Sequence, residues 1–407
     1  MPDQPTPTTL PSSDVIYLDN HATTCVDPQV VEAMLPWMTQ EYGNAGSIGH
    51  PFGEAAREAV DRSRATIATA IGADPSEIVF TSGATESNNL AIRGVAERNR
   101  RRGDHVVSVV TEHHAVLGPL QRLAKRRHDV TMLGVKQRGR PDAGVVDLGE
   151  VERAITDQTC LVSVMLANNE IGAVQPIAEI SKVCREHGVL LHSDATQAIG
   201  KMSVDVQQLG VDLMSFTAHK LYGPKGIGAL YVRGRDPIVR LEAQITGGGQ
   251  ERGRRSGTAN VPGIVGMAKA VELCQQEAPY QAIRIAGLRD ELFAKLSESI
   301  PDLELCGPGL EERSTAGEAL RLAGNLNVHV PGVDGEAIML HTPGVAMSSG
   351  AACSSADPEP SHVLQALGYS ADEARCSLRL GLGRFNDSGQ VESAAEQIAR
   401  AIEKLLP

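Results

Sequence analysis

The residues best suited to covalent chemistry lie around Lys220. Lys220 follows the apolar run 211–216, which predicts a buried strand, and precedes a turn rich in glycine and proline. A desolvated amine loses its proton more easily than a solvated one, and it then becomes a nucleophile that forms a Schiff base. A lone lysine after a strand is more often structural, so this interpretation depends on polar residues elsewhere in the chain.

A second candidate site follows the predicted strand 78–80. The residues after that strand are small and polar, and they precede a helix predicted over 89–101. Backbone N–H groups at a helix start have no acceptor within the helix, and together with the helix dipole they attract anions. The turn at Ala84 and Thr85 is therefore a candidate phosphate site. An ordinary helix start, with Thr85 or Ser87 as the N-cap, remains the alternative.

Other polar side chains stand at the ends of predicted strands in the same way. They are His113 after the strand 106–110, Asn169 after 160–166, Asp194 and Gln197 after 189–192, and Thr217 and His219 beside Lys220. Ligands of parallel sheets bind beyond the carboxyl ends of the strands. We therefore expect these clusters to converge on one site.

The elements that must position these residues alternate between strand and helix, which predicts an α/β fold with a mainly parallel sheet covered on both faces. We expect a disordered tail over 1–14, a large domain over 15–275 and a smaller domain over 276–407. The segments 310–322 and 348–361 resist assignment. In the smaller domain, strands are predicted near 303–306, 325–328 and 376–380, and a closing helix over 389–405.

Composition excludes several classes of protein. The 407 residues carry a formal net charge of −12, which argues against nucleic acid as a partner. No apolar run reaches the roughly 18 residues of a membrane span. The seven cysteines lack paired spacing, so we expect free thiols and a cytoplasmic location.

A buried lysine, an aspartate at a neighbouring strand end and a phosphate-type turn suit pyridoxal phosphate. The lysine forms an imine with the cofactor aldehyde, and Asp194 pairs with the protonated ring nitrogen and keeps the ring an electron sink. The alternative is a metal site built from histidines. No His-Glu-x-x-His pair occurs in the sequence, so no metal is predicted.

The sequence also resembles the cysteine desulfurases of the NifS/IscS group, within the class V aminotransferases. The matching motifs include Ala218-His219-Lys220-Leu221-Tyr222-Gly223-Pro224-Lys225-Gly226, Ser348-Ser349-Gly350-Ala351-Ala352-Cys353, and segments 17–24, 81–89, 111–113, 168–172, 194–197, 255–258 and 379–385. The resemblance implies fold type I of the pyridoxal phosphate enzymes. That fold has a large domain with a mainly parallel seven-stranded sheet flanked by helices, and a smaller α+β C-terminal domain carrying the loop 348–361.

The resemblance also implies roles for individual residues. Catalysis is assigned to Lys220, Cys353 and His113. Cofactor binding is assigned to Ala84, Thr85, His113, Asn169, Asp194, Gln197, Thr217, His219, Lys220 and, from the other subunit of a homodimer, Thr258. Among these, Thr85, Thr217, His219 and Thr258 would hold the phosphate, and Gln197 would meet the ring hydroxyl of the cofactor. Asn169 and Arg379 would bind the substrate carboxylate, and the planar fork of the arginine suits this task. His21 departs from the pattern, since relatives often carry another polar or small residue there.

The implied reaction converts L-cysteine to L-alanine and leaves a persulfide on Cys353. The sulfur then passes to an iron–sulfur scaffold or a sulfur carrier, for cluster assembly or tRNA thiolation, and Cys353 could transiently ligate a cluster. A selenocysteine lyase, an aminotransferase and a non-enzymatic sulfur-transfer platform remain rival interpretations. Cys353 argues against the aminotransferase, which needs no nucleophilic thiol.

Overall fold

The computed structural model describes residues 14–98, 103–349 and 359–406, without the side chains of residues 278 and 279. The strands are β1 (Ile16–Tyr17), β2 (Ile78–Thr81), β3 (His105–Val109), β4 (Asp129–Leu133), β5 (Thr159–Ser163), β6 (Leu190–Asp194), β7 (Leu213–Thr217), β8 (Gly228–Val232), β9 (Glu304–Leu305), β10 (Asn325–His329), β11 (Val345–Ala346), β12 (Ser348–Ser349) and β13 (Ser377–Gly381). The helices are α1 (Pro28–Thr39), α2 (Pro51–Ala70), α3 (Ala84–Arg98), α4 (His114–Ala124), α5 (Leu148–Ala154), α6 (Ile177–Glu186), α7 (Val206–Leu209), α8 (Val261–Ser299), α9 (Gly335–Leu340), α10 (His362–Ala366), α11 (Ala371–Arg375) and α12 (Ser388–Leu405).

The central sheet has seven strands in the order β2-β8-β7-β6-β5-β3-β4. The pairs from β7 to β4 are parallel, whereas β8 runs antiparallel to both β2 and β7. Its inner strands are buried along their whole length, as expected for a sheet that helices cover on both faces. This confirms the predicted α/β fold.

Helix α3 begins at Ala84, five residues earlier than the predicted helix start. Strand β2 ends at Thr81. Gly83 in the turn that follows has a φ of +154° and leads the chain directly into the helix, where Ser87 N–H donates to Gly83 O at 3.1 Å. Thr85 and Ser87 therefore lie inside the helix, and the prediction of either residue as an N-cap is wrong. The earlier start brings the free N–H groups of the helix next to the end of β2.

A second sheet, in the order β12-β13-β10-β9, is antiparallel throughout. The C-terminal half of α8 and helix α12 bury their apolar faces with it in a separate core. Ser348 and Ser349 belong to this sheet, because β12 pairs with Arg379 and Leu378 of β13. The start of the segment 348–361 is therefore regular structure, although its own residues carry no strand pattern.

Helix α8 is one continuous helix that runs through the predicted domain boundary at residue 275. Its residues up to Cys274 pack in the core under the seven-stranded sheet, whereas those from Leu288 onward pack against the second sheet. The segment before α1 also reaches the second sheet region, since β1 pairs with β11. Residues 1–13 of the predicted tail lie outside the described residues.

The glycine- and arginine-rich loop 246–258 is attached to helices α2 and α3 by two ion pairs. Arg64 holds both carboxylate oxygens of Glu251, at 2.7 and 2.8 Å, in a nearly buried contact. Arg255 Nε lies 2.7 Å from Glu86 on α3. Breaking a buried pair by removing one partner costs about 3–5 kcal/mol. This loop is therefore held in place beside the start of α3.

Candidate active site

A cavity of about 630 Å³ opens at the carboxyl ends of the parallel strands. Every predicted site residue other than Cys353 and Thr258 lines it. These residues are Ala84, Thr85, His113, Asn169, Asp194, Gln197, Thr217, His219, Lys220 and Arg379. The predicted convergence of the polar clusters is therefore observed. Cys353 lies outside the described residues, and Thr258 is exposed elsewhere on the surface.

Lys220 lies in the short helical turn Ala218–Lys220 at the end of β7. Its Nζ donates to the backbone carbonyls of His21 and Ala22, at 2.5 and 2.6 Å. Burial and the nearby charge of Arg379 lower the pKa of Lys220 to about 8. A larger fraction of this amine is therefore neutral near physiological pH than in a solvated lysine.

Asp194 is the last residue of β6, and its carboxylate is buried in the cavity wall. Asn88 Nδ2 donates to one carboxylate oxygen at 2.7 Å, and Thr196 N–H donates to the other at 2.9 Å. These two donors come from different elements and hold the carboxylate in one orientation. A fixed, buried carboxylate is a suitable partner for a protonated ring nitrogen.

The predicted phosphate end of the cavity lies where the chain passes from β2 into α3. Ser82 N–H donates to Glu86 Oε2, and the same carboxylate binds Arg255. Gly228 on β8 lies so close that a Cβ there would be 2.7 Å from the Gly83 backbone, so only glycine fits. The resulting turn presents the first N–H groups of α3 to the cavity, as an anion requires.

Two other predicted phosphate ligands flank this turn. Thr217 Oγ donates to the carbonyl of Ile227 at 2.9 Å, so it must release that bond to donate to a phosphate. The Nδ1 atom of His219 lies 3.1 Å from Thr23 Oγ. Burial, followed by the charge of Lys220, lowers the pKa of His219 to about 4, so the ring is neutral at pH 7.

His113 caps the start of α4 with its own ring, because Ala115 N–H donates to His113 Nδ1 at 3.0 Å. Its pKa is lowered by desolvation, which outweighs the opposing charge of Asp194. A neutral imidazole whose Nδ1 accepts carries its proton on Nε2. The ring is thus a neutral N–H donor on the cavity lining, which suits stacking and proton transfer.

Arg379 on β13, the predicted ligand of the substrate carboxylate, lies on the cavity lining. Its Nη2 donates to Asp19 Oδ1 and to Ser348 Oγ, both at 2.9 Å, and Ser348 Oγ in turn donates to Asp19. Arg379 Nε is buried and has no hydrogen-bond partner among the described residues. The guanidinium is therefore held at one end and keeps a donor for a carboxylate.

Reasoning from sequence missed several residues of this site. Lys201 Nζ donates to Gln197 Oε1 at 2.5 Å, and His21 Nδ1 lies 3.1 Å from the same oxygen. Glu112 is fully buried, and burial followed by the charge of Asp194 raises the pKa of its carboxyl well above the usual range. The only sequence signal for His21 and Glu112 is their position within the motifs, and Lys201 lies outside every motif. The spacing of these residues indicates no contact.

The donor set of the cavity fits pyridoxal phosphate. An amine of low pKa, a fixed carboxylate and a helix start stand around one cavity, as the aldehyde, ring nitrogen and phosphate of the cofactor require. Thr196 Oγ, also on the lining, is buried and unpartnered in the described part of the chain. No group of three or more His, Cys, Asp or Glu side chains within the described ranges is placed to hold a metal ion.

Comparison with known proteins identifies the family. The model of the aminotransferase class-V family matches residues 16–393, nearly the whole chain. The chain belongs to the class-V aminotransferase family. Class-V aminotransferases use pyridoxal phosphate, so the predicted cofactor and the predicted family are confirmed.

Relatives of this chain within the family are named cysteine desulfurases. The chain is 50% identical over 390 residues to "Cysteine desulfurase IscS" of Anaeromyxobacter dehalogenans, covering 96% of this chain and 93% of that protein. It is 48% identical to the protein of the same name from Neisseria meningitidis, again over 390 residues that cover 96% of this chain and 93% of that protein. Both alignments therefore include the large and the small predicted domains.

Solved structures of similar fold cover the chain to the same extent. A "NIFS-LIKE PROTEIN" superposes with a TM-score of 0.86 at 35% identity, covering 96% of this chain and all of that one. "SspA in complex with cysteine" superposes with a TM-score of 0.74 at 36% identity, covering 91% and 99%. In the residues that the structure describes, no helix has the length and apolar character needed to cross a membrane.

Proposed function

We propose that this protein is a cysteine desulfurase, which converts L-cysteine to L-alanine and passes the sulfur to Cys353. The observation that carries the proposal is the low-pKa amine of Lys220 in one cavity with Asp194 and Arg379. The alignment with cysteine desulfurases over nearly the whole chain supports the same reaction.

Different side chains along the cavity bind the substrate and the cofactor. Arg379 and Asn169 bind the substrate carboxylate, and Asp19 fixes the guanidinium that receives it. Pyridoxal phosphate, when bound, supplies an electron sink for the substrate Cα and is held by Asp194, Gln197, Thr85 and His219. Lys220 holds and returns the proton at Cα.

The sulfur transfer uses the Cys353 thiolate as nucleophile. It attacks the substrate sulfur, so that an S–S bond forms on Cys353 and the Cβ–S bond of the substrate breaks. The electron pair of that bond stays with Cβ, which takes up a proton and becomes the methyl group of alanine. The product on the enzyme is a persulfide.

Two substitutions test the reaction. Lys220→Ala is expected to abolish both the yellow absorbance of the bound cofactor and alanine formation. Cys353→Ala is expected to keep the colour and lose sulfide release with cysteine and a thiol reductant. Full sulfide release by Cys353→Ala would refute the role of that residue, and a colourless wild-type protein would favour the non-enzymatic platform.

Cysteine and selenocysteine as parallel substrates distinguish the desulfurase from a selenocysteine lyase. Alanine formation is measured from each amino acid under the same conditions. The desulfurase is expected to release alanine from cysteine at a comparable or higher rate. Activity on selenocysteine alone would reverse the assignment.

We also propose that the protein is a homodimer whose sites are shared, with Thr258 reaching the phosphate of the partner subunit. The exposed position of Thr258 and an apolar patch on α1 support this arrangement. The physiological acceptor is proposed to be an iron–sulfur scaffold or a sulfur carrier in the cytoplasm. The free thiols of Cys25, Cys184, Cys274, Cys306 and Cys376 suit a reducing compartment.

A further inference from the structure

Lys201 is a partly buried amine that the mechanism above does not use. It does not line the main cavity, although its Nζ donates to Gln197 Oε1, which belongs to a residue on the cavity lining. Lys201 instead lines a separate cavity of about 380 Å³ between α2, α8 and the segment 199–204. Burial, followed by the charge of Lys220, lowers the pKa of Lys201 to about 7. Desolvation of this amine costs free energy, and the proposed mechanism does not explain why the amine is there.

The contacts of Gln197 determine which way its amide faces. In its protonated form the Lys201 amine only donates, so the amide atom 2.5 Å from its Nζ is the oxygen. The other amide atom lies 2.9 Å from the carbonyl oxygen of His21, which only accepts, so it is the nitrogen. Both contacts give the same orientation. One of the two N–H groups on that nitrogen is used by His21, and the other remains for a group in the cavity.

The ring of His21 does not fix this orientation by itself. Its ring nitrogens face two acceptors, Gln197 Oε1 at 3.1 Å and the carbonyl of Gly324 at 3.2 Å. Burial, followed by the charges of Lys201 and Arg379, lowers the pKa of His21 well below its usual range, so the ring is neutral. A neutral imidazole carries one N–H and satisfies only one of the two acceptors.

We propose that Lys201 is a positioning residue, which holds the amide oxygen of Gln197 and so makes Gln197 present an N–H to the cofactor ring hydroxyl. The inference rests on the proposed contact between Gln197 and that hydroxyl. Without the amine, only the His21 carbonyl holds the amide, so its orientation is fixed less firmly and its oxygen can turn toward the cofactor. An ionised ring hydroxyl only accepts, so it then meets an amide oxygen in place of an N–H and the favourable hydrogen bond is lost.

A double-mutant cycle on cofactor affinity tests this role. The four proteins are the wild type, Lys201→Met, Gln197→Ala and the double variant, and pyridoxal phosphate affinity is measured by titrating each apoprotein near neutral pH. Lys201→Met is expected to weaken binding about tenfold, as one hydrogen bond to a charged group would. Because Lys201 acts through Gln197, the double variant should bind no more weakly than Gln197→Ala. Lys182→Met, at an exposed position on α6, is the matched control.

A second variant keeps the test decisive if Lys201→Met fails to fold. Gln197→Glu places a carboxylate beside Lys201, so the melting temperature of the apoprotein should rise while cofactor affinity falls. Three results would each overturn the role. The first is a loss of cofactor affinity in the double variant equal to the sum of the two single losses. The others are equal affinities of Lys201→Met and Lys182→Met, and an unchanged melting temperature in Gln197→Glu. Failure of the wild type to bind the cofactor would instead refute the proposed function.

Discussion

The amine of Lys220 must be neutral to attack an aldehyde, so its pKa governs the capture of the cofactor. Burial is the main cause that lowers this pKa to about 8, and Arg379 is the second. We expect the rate of pyridoxal phosphate uptake by the apoprotein to rise with pH and to level off above a midpoint near 8. Stopped-flow absorbance at a series of pH values measures the midpoint.

Replacing Arg379 by leucine should move that midpoint upward, because a cation that disfavours the charged amine is removed. The freed carboxylate of Asp19 acts in the same direction, since its charge raises the pKa of Lys220. The shift is expected to be partial, because burial remains. Arg153→Leu, at an exposed position, is the control. A wild-type midpoint near 10.4, the value of a solvated lysine, would contradict the assignment.

At the residue scale, sequence reasoning found the groups that face the cavity and missed those behind them. Lys220, Asp194 and His113 could be predicted because each follows a strand, and topology brings strand ends together. Lys201 and His21 could not be predicted, because their role depends on which atom of Gln197 each one meets. Contacts of this kind, between a site residue and the residue behind it, depend on side-chain geometry that cannot be read from the periodicity of the sequence.

At the scale of elements, helix α10 links the small-domain region to the active site. Ser361 caps α10, accepting from Leu364 N–H at 3.1 Å, and its Oγ donates to Glu170 Oε2 at 2.5 Å. The next residue, His362, has Nε2 2.9 Å from the carbonyl of Glu112. Asn169 and His113 are the immediate neighbours of Glu170 and Glu112. The helix is thus attached to the two loops that carry the predicted substrate and ring contacts.

Ser361→Ala removes both the cap and the contact with Glu170. We expect kcat/KM for alanine formation from cysteine to fall about tenfold while the cofactor colour is unchanged, since a charged hydrogen bond contributes about 1.5–3 kcal/mol. Ser370→Ala is the matched control, because Ser370 caps the equally short α11 and bonds Glu373 of that same helix. Equal effects of the two substitutions would show that only capping matters.

The elements that sequence reasoning misplaced share a physical cause. The predicted start of α3 is too late, because Thr85 and Ser87 in its first turn are residue types that also cap helices. Strand β12 has two residues and no apolar alternation, and it exists only because β13 offers a partner. Local sequence predicts an element that is long and periodic. It does not predict a short strand that forms only by pairing with a strand distant in the sequence.

At the scale of the whole molecule, an apolar patch remains exposed on α1 and the following segment. Val31, Leu35 and Met38 lie on one helix face and are 49–56% exposed, and the rings of Tyr42 and Phe52 are in contact next to them. Such a patch usually marks a protein interface. We expect Leu35→Lys combined with Met38→Lys to weaken dimerisation at least 100-fold, because each buried apolar side chain contributes about 1.5–3 kcal/mol.

Sedimentation velocity over a range of protein concentrations measures this dissociation, and circular dichroism checks that the fold is kept. Leu340→Lys is the control, because Leu340 is 81% exposed on α9, in the small-domain region. A dimer that is unaffected by the two lysines would exclude the α1 patch as its interface. A monomeric wild type would refute the homodimer itself.

Subunit mixing tests whether Thr258 acts across the dimer. In a heterodimer of Lys220→Ala and Thr258→Ala subunits, the second subunit keeps its own lysine. If Thr258 acts across the interface, the active site of the Thr258→Ala subunit receives an intact threonine from the Lys220→Ala subunit. The active site of the Lys220→Ala subunit then lacks both groups. Random mixing makes half of the dimers mixed, so activity at limiting cofactor should recover to about one quarter of wild type. If Thr258 served its own subunit, no site in the mixture would have both groups, and activity would stay at the mean of the two parents.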